Sequence, residues 1–124
     1  MVETYFYDTY ALVELIKGNE NYLKYKLYKI ITTKLNLLEL YSALLRDYNE
    51  KKAEYYYSFY SKYCINLNDD IIKDSAKLWH SMRKENKKPS YIDCIGYIAA
   101  LRLKIKFLTG DKEFKDLKNV EFVK

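Results

Sequence analysis

Glycine and proline are nearly missing from this chain of 124 residues, which has three Gly (Gly18, Gly96, Gly110) and a single Pro (Pro89). So few cannot make a G-x-G-x-x-G or G-x-x-x-x-G-K-[ST] loop, which removes the usual cradles for dinucleotides and triphosphates. The two cysteines, Cys64 and Cys94, stand far apart with no second pair. They indicate neither a zinc knuckle nor a disulfide framework, and a reducing cytoplasm is the expected location. His80 is the only histidine, so imidazole-ligated metals and Ser-His-Asp catalysis lack their material. Apolar runs are short as well: Cys94 to Leu101 stops at Arg102, far below the ~20 residues that span a bilayer. Met1-Val2-Glu3-Thr4-Tyr5 offers no basic n-region and no apolar h-region, so no secretory signal is expected. Any chemistry falls to carboxylates.

Aromatic and basic residues are abundant. Hydrophobic residues make up 49% of the chain and aromatic ones 17%, including 15 Tyr, enough for an ordered core and too much for disorder. The length suits one domain over residues 1–124. Lys and Arg outnumber Asp and Glu by 22 to 17, for a net charge of +5. That excess fits a phosphate-rich partner, although Lys-rich surfaces are common in proteins with none.

Strand-forming and helix-forming segments alternate. Thr4-Tyr5-Phe6-Tyr7 reads as a short buried strand ending at Asp8-Thr9. Tyr10–Lys17 reads as a helix stopped by Gly18-Asn19, and Asn21–Leu27 as another short helix. Tyr28–Thr33 is a second strand-forming run. It leads into a helix from Lys34 to about Tyr48, where Leu37, Leu38, Tyr41, Leu44, Leu45 and Tyr48 make an apolar stripe. A tyrosine-rich helix (Glu50 to about Lys62), a third apolar run (Tyr63-Cys64-Ile65) and a helix capped by Asp69-Asp70 follow. Beyond the polar loop Asn86–Pro89, Ser90–Leu103 is a helix apolar on nearly every side. Ile105–Thr109 and Val120–Val123 read as a fourth and fifth strand. The alternation predicts an α/β fold, a parallel sheet of four to five strands covered by helices on both faces.

Open sheets of this kind bind ligands beyond the carboxyl ends of their strands. Asp8 ends the first strand and Asp111 the fourth. Asp93 stands in the first turn of the helix that feeds the fourth strand, and Glu39 in the first turns of the helix after the second. Carboxylates gathered at one edge repel, and a hard divalent cation with oxygen ligands is the usual remedy. Each acid also has a plainer reading. Asp8 suits an N-cap, Ser90-Tyr91-Ile92-Asp93 fits a capping box, Glu39 lies off the apolar stripe beside Arg46, and Asp111 follows Gly110 as in a tight turn.

The chain resembles the PIN-domain family, and in particular its VapC-type toxins. Thr4-Tyr5-Phe6-Tyr7-Asp8-Thr9-Tyr10-Ala11-Leu12 is similar to that family's opening strand and first acid, and Asn36-Leu37-Leu38-Glu39-Leu40 to its second-acid segment. Ser90-Tyr91-Ile92-Asp93 with Ala99-Ala100 is similar to the third-acid helix, and Leu108-Thr109-Gly110-Asp111-Lys112-Glu113-Phe114 to the closing Thr-x-Asp-x-x-Phe segment. The resemblance implies a sheet of order 3-2-1-4-5 and hydrolysis of RNA phosphodiester bonds with Mg²⁺ or Mn²⁺. Asp8, Glu39, Asp93 and Asp111 become the catalytic and metal-binding acids, with Thr9 and Thr109 in support. It also implies an antitoxin partner. Cys94 departs from the pattern where a small residue such as Ala is common, a minor change because Cys packs as a small hydrophobe. The opposing expectation is a non-catalytic interaction module of the same fold, and a further one is an RNA-processing nuclease that is not a toxin.

Three features remain. Tyr55-Tyr56-Tyr57-Ser58-Phe59-Tyr60, flanked by Lys51, Lys52 and Lys62, could stack bases, but such a helix more often serves a core or a dimer seam, and a homodimer is expected. Lys84, Lys87 and Lys88 form a basic cluster around the polar loop that reads first as a solvated charge run. Trp79-His80 reads as packing with a polar edge.

Overall fold

The structure, a computed structural model, describes residues 3–124. Strands β1 (Thr4–Tyr7), β2 (Lys29–Ile31), β3 (Lys106–Thr109) and β4 (Val120–Phe122) form one sheet in the order β2-β1-β3-β4. All three pairings are parallel, with Phe6 opposite both Ile31 and Phe107 and with Leu108 opposite Glu121. The helices are α1 (Thr9–Lys17), α2 (Lys34–Asp47), α3 (Glu50–Ser61), α4 (Asp69–Lys84) and α5 (Tyr91–Leu103). The segment Asn21–Leu27, expected to be a short helix, lies in a 3₁₀ helix over Glu20–Leu27. Among the described residues no helix is long and apolar enough to cross a membrane.

Alternation along the strands sorts the core into two layers. Tyr5, Tyr7 and Leu108 point to one face, where Leu12 and Leu15 of α1, Leu37, Leu40 and Leu44 of α2 and Tyr60 of α3 cover them. Phe6 and Phe107 point to the other, against Met82 of α4 and Cys94, Tyr97, Ala99 and Ala100 of α5. Gly96 lets α5 approach closely, since a Cβ there would stand 2.7 Å from the Phe6 ring and 2.9 Å from the Phe107 ring. Much of the tyrosine wealth is core. Tyr7, Tyr22 and Tyr25 are fully buried, and each hydroxyl finds an acceptor: the Tyr25 carbonyl for Tyr7, the Val123 carbonyl at 2.5 Å for Tyr22, and Glu121 Oε2 at 2.6 Å for Tyr25. A Tyr is thereby buried without an orphaned donor.

Two expectations are corrected. The run Tyr63-Cys64-Ile65 makes only one parallel bridge, between Thr32 and Cys64. Its neighbour β2 ends at Ile31, and Thr33 has left the sheet to cap α2, accepting from the Asn36 N–H. The implied order 3-2-1-4-5 is thus present with its outermost strand reduced to a bridge. The apolar stripe of α2 is also rotated. Leu37, Leu40 and Leu44 are buried together with Asn36, whereas Leu38, Leu45 and Tyr48 are exposed.

Candidate active site

In the order β2-β1-β3-β4 the chain runs outward from β1 to one side and returns on the other, so the topological switch falls between β1 and β3. Asp8 directly follows β1, and Thr109, the last residue of β3, faces it across the switch. The Asp8 N–H donates to the Leu108 carbonyl at 3.1 Å, extending the β1–β3 ladder to the acid itself. The Thr109 hydroxyl donates to Asp8 Oδ2 at 2.7 Å and accepts from the Asp111 N–H at 3.0 Å, tying the first and fourth acids to one threonine. Asp8, Glu39, Asp93 and Asp111 all line a single cleft of about 660 Å³, together with Thr9, Glu14, Lys17, Arg46 and Lys112.

Asp8 is 2% exposed. Although it stands at the N-cap position of α1, its side chain makes no cap hydrogen bond, so the capping reading of this residue does not hold. Its Oδ1 is buried without a partner, alone in that respect among the described residues. An unpaired carboxylate oxygen in such a place is costly unless a proton or a cation compensates it. Burial raises the Asp8 pKa well above the usual carboxylate range, and the nearby charges of Asp93 and Glu39 push the same way.

Asp93 has two attachments. With Ser90 it forms a complete capping box, the Ser90 N–H donating to Oδ2 at 3.2 Å and the Asp93 N–H donating to Ser90 Oγ at 3.0 Å. Burial nevertheless pushes its pKa up to about 6, with the charges of Asp111 and Glu39 adding to the effect. The structural reading of Asp93 is therefore correct without displacing the other, because a plain cap on a solvated turn would not feel two neighbouring acids. Asp111 likewise accepts from the Glu113 N–H at 3.0 Å as the cap of a short 3₁₀ turn, while its carboxylate borders the cleft.

Glu39 is half-buried and reaches Thr9, whose hydroxyl donates to Glu39 Oε1 at 2.6 Å. The rotated α2 accounts for this: burying Leu37 and Leu40 turns Glu39, Ala43 and Arg46 onto the cleft. Behind Thr9 stands Asn36, which the sequence reading passed over. It is fully buried, donates from Nδ2 to Thr9 Oγ1 at 3.1 Å, and accepts at Oδ1 from the Thr33 hydroxyl at 2.7 Å. A polar residue in the first turn of a helix, on the side of its buried leucines, was the available signal.

The donors on offer are all hard oxygens, one of them buried and uncompensated, and this set fits a hard divalent cation. Asp8 and Asp93 would hold it, with Glu39 and Asp111 beside them. Among the described residues no three His, Cys, Asp or Glu side chains stand at ligand spacing, so the cleft surrounds a common space with its acids without closing them on a point.

Fold and cleft together define a parallel α/β domain with an acidic site at its topological switch. A sequence profile of the PIN domain matches residues 5–120, and the chain belongs to the PIN-domain family. No curated protein matches it in sequence. Among solved structures it is similar to the sarcin–ricin loop-cleaving toxin VapC20 of Mycobacterium tuberculosis, with a TM-score of 0.78, 16% identity, and coverage of 94% of this chain and 97% of that one. A toxin–antitoxin complex from Klebsiella pneumoniae matches with a TM-score of 0.72 and 18% identity over 94% of both chains. VapBC-1 of nontypeable Haemophilus influenzae matches with a TM-score of 0.72 and 16% identity over 97% and 96% of the two chains. At these identities the likeness is one of fold.

Proposed function

We propose that the protein is a metal-dependent endoribonuclease and the toxin of a toxin–antitoxin pair, using Mg²⁺ or Mn²⁺. The observation that carries this reading is the buried Asp8, with an orphaned oxygen, in a cleft shared with Asp93, Glu39 and Asp111. Membership of the PIN-domain family supports nuclease chemistry, and the solved toxin–antitoxin complexes of the same fold support an antitoxin partner. A divalent cation in the cleft would neutralise charge on a backbone phosphate and lower the pKa of a bound water. Asp8 and Asp93 supply the charge that holds it. Thr9 keeps Glu39 turned into the cleft, and Thr109 holds Asp8 and the Asp111 loop together. Lys17, Arg46 and Lys112 on the cleft wall offset the acids where the RNA backbone would approach.

Cleavage of a structured RNA with Mg²⁺ or Mn²⁺, with EDTA as the blank, tests the reading. Asp8→Asn and Asp93→Asn are each expected to lose at least ~10²-fold in rate, the scale of removing a key electrostatic stabiliser. Glu39→Gln should be nearly as damaging and Asp111→Asn milder. The exposed Asp116, outside the cleft, should tolerate Asn without effect. Full activity in Asp8→Asn, or undiminished cleavage in EDTA, would make the acids structural and favour a non-catalytic module.

A further inference from the structure

Outside the cleft lies an aromatic surface that this chemistry does not use. Trp79 of α4 is the only tryptophan of the chain. Its indole stacks on Tyr91, the first residue of α5, with ring centroids 4.6 Å apart and planes inclined by 16°. The indole N–H donates to the Pro89 carbonyl at 3.0 Å, which fixes the loop between the two helices against the stack. The Arg83 guanidinium lies 5.1 Å from the Trp79 ring centroid, and the His80 ring meets the indole edge-on. Tyr91 has one face covered by Trp79 and is still 53% exposed, so its second face is open to water. A ring held from behind and open in front has already lost its conformational freedom. Little further ordering is needed to bind a flat partner.

The surface lies outside the cleft lining but is tied to the acids through the chain and one loop contact. Tyr91 and Asp93 share the first turn of α5. The Lys88 N–H donates to Glu113 Oε1 at 3.2 Å, and the Glu113 N–H donates to Asp111 Oδ1 at 3.0 Å, so the loop preceding Tyr91 is joined to the segment bearing the fourth acid. Arg83, Lys84, Lys87 and Lys88 sit on and around that loop, Lys87 half-buried and the other three exposed. An aromatic face with Arg83 against it and three lysines around the adjoining loop has the composition of a single-strand platform. Bases stack on the ring and the cations follow the backbone.

We propose that Tyr91, backed by Trp79, stacks an unpaired nucleobase of the RNA strand outside the acidic cleft, while Arg83, Lys84, Lys87 and Lys88 hold the adjoining phosphates. This rests on the ribonuclease reading and assigns it a positioning residue. A base inside a duplex has no free face to offer, so Tyr91 engages unpaired segments only. Tyr91 is a positioning residue and takes no part in the chemistry.

Trp79 supplies a readout independent of cleavage. The full chain in EDTA is titrated with a short single-stranded RNA, the same RNA as a perfect duplex, and inorganic polyphosphate, following tryptophan fluorescence. The single strand is expected to change the emission, and the duplex and polyphosphate, which engage only the cations, to change it much less. Tyr91→Leu should weaken single-strand binding roughly tenfold, the scale of one base stack, and raise KM by a similar factor with kcat held. Tyr91→Phe, which keeps the ring, should restore both. Equal responses to polyphosphate and single strand, or unchanged affinity and KM in Tyr91→Leu, would overturn the platform. The two readings fail separately: active Asp8→Asn with an intact fluorescence response removes the nuclease assignment alone, and inactive Asp8→Asn with an unaffected Tyr91→Leu removes the platform alone.

Discussion

Among single residues, Asp8 and Asp93 carry the clearest physical signature, because burial and neighbouring acids raise both pKa values. For a carboxyl whose folded pKa lies above its unfolded one, the folded state binds the proton more tightly. Stability is then fully present below the unfolded pKa and is lost as pH rises through the folded pKa. For Asp93 that window runs from the ordinary 3.8 to about 6. In EDTA the protein should therefore gain about 1 kcal/mol from this residue on going from pH 7 to pH 5, and Asp93→Asn should flatten the dependence. Urea titrations at the two pH values measure it, and a slope unchanged by Asp93→Asn would contradict the shift. Adding Mn²⁺ at pH 7 should raise the melting temperature of the wild type by mass action and leave the Asp8→Asn, Asp93→Asn double variant unmoved. Equal metal affinity of the two proteins by calorimetric titration would remove the site. Asn36 behaves differently. Its replacement by Ala strips buried partners from Thr9 and Thr33 and should cost about 1–3 kcal/mol, together with activity as Glu39 loses its anchored hydroxyl.

At the scale of elements, the strands and helices were readable wherever local pattern and burial agreed. Thr4–Tyr7 and the α5 segment came out almost residue for residue. Disagreement arose in α2, where the expected stripe takes in Leu38 and Leu45 with Leu37 and Leu44, and the buried one joins Leu37 and Leu44 to Leu40 instead. Periodicity cannot choose between them. The face that meets Leu12 and Leu15 of α1 and Tyr60 of α3 decides, and with it whether Glu39 meets water or the cleft. The third strand is reduced to a bridge for a related reason: three apolar residues suffice for strand propensity, but β2 had no length left to pair with more of them. The α5–sheet contact yields its own prediction. Gly96→Ala drives a methyl group into the rings of Phe6 and Phe107 and should destabilise the fold by about 1–3 kcal/mol. Thermal unfolding checks this, and an unchanged melting temperature would mean that the helix stands off far enough to admit the side chain.

For the whole molecule, the tyrosine-rich α3 divides its aromatics. Tyr60 is buried, while Tyr55 and Phe59 stack on each other at the surface, 62% and 43% exposed. With Leu38, Leu45 and Tyr48 also exposed, apolar side chains on α2 and α3 are left open to solvent. We expect a homodimer with Tyr55 and Phe59 at its seam. Light scattering at tens of micromolar should give twice the chain mass, and Tyr55→Glu with Phe59→Glu should return it to one. A wild-type monomer mass would reject the seam.

Four acids at strand ends and helix starts, the scarcity of histidine and glycine, and the order of strand and helix segments were all set by the sequence, since they depend on neighbours along the chain. What each acid does was not. Capping and cation binding ask for the same residue at the same place, and Asp93 shows one carboxylate suited to both. Only the parallel pairing of β1 with β3 brings residues a hundred positions apart, Asp8 and Thr109, to within a hydrogen bond. Only packing on both faces removes Asp8 from water and leaves its second oxygen alone. The same holds for Trp79 and Tyr91, an unremarkable pair of aromatics in the sequence until α4 and α5 lay one ring against the other. Burial and long-range contact are properties of the folded chain, and the chemistry of a carboxylate depends on both.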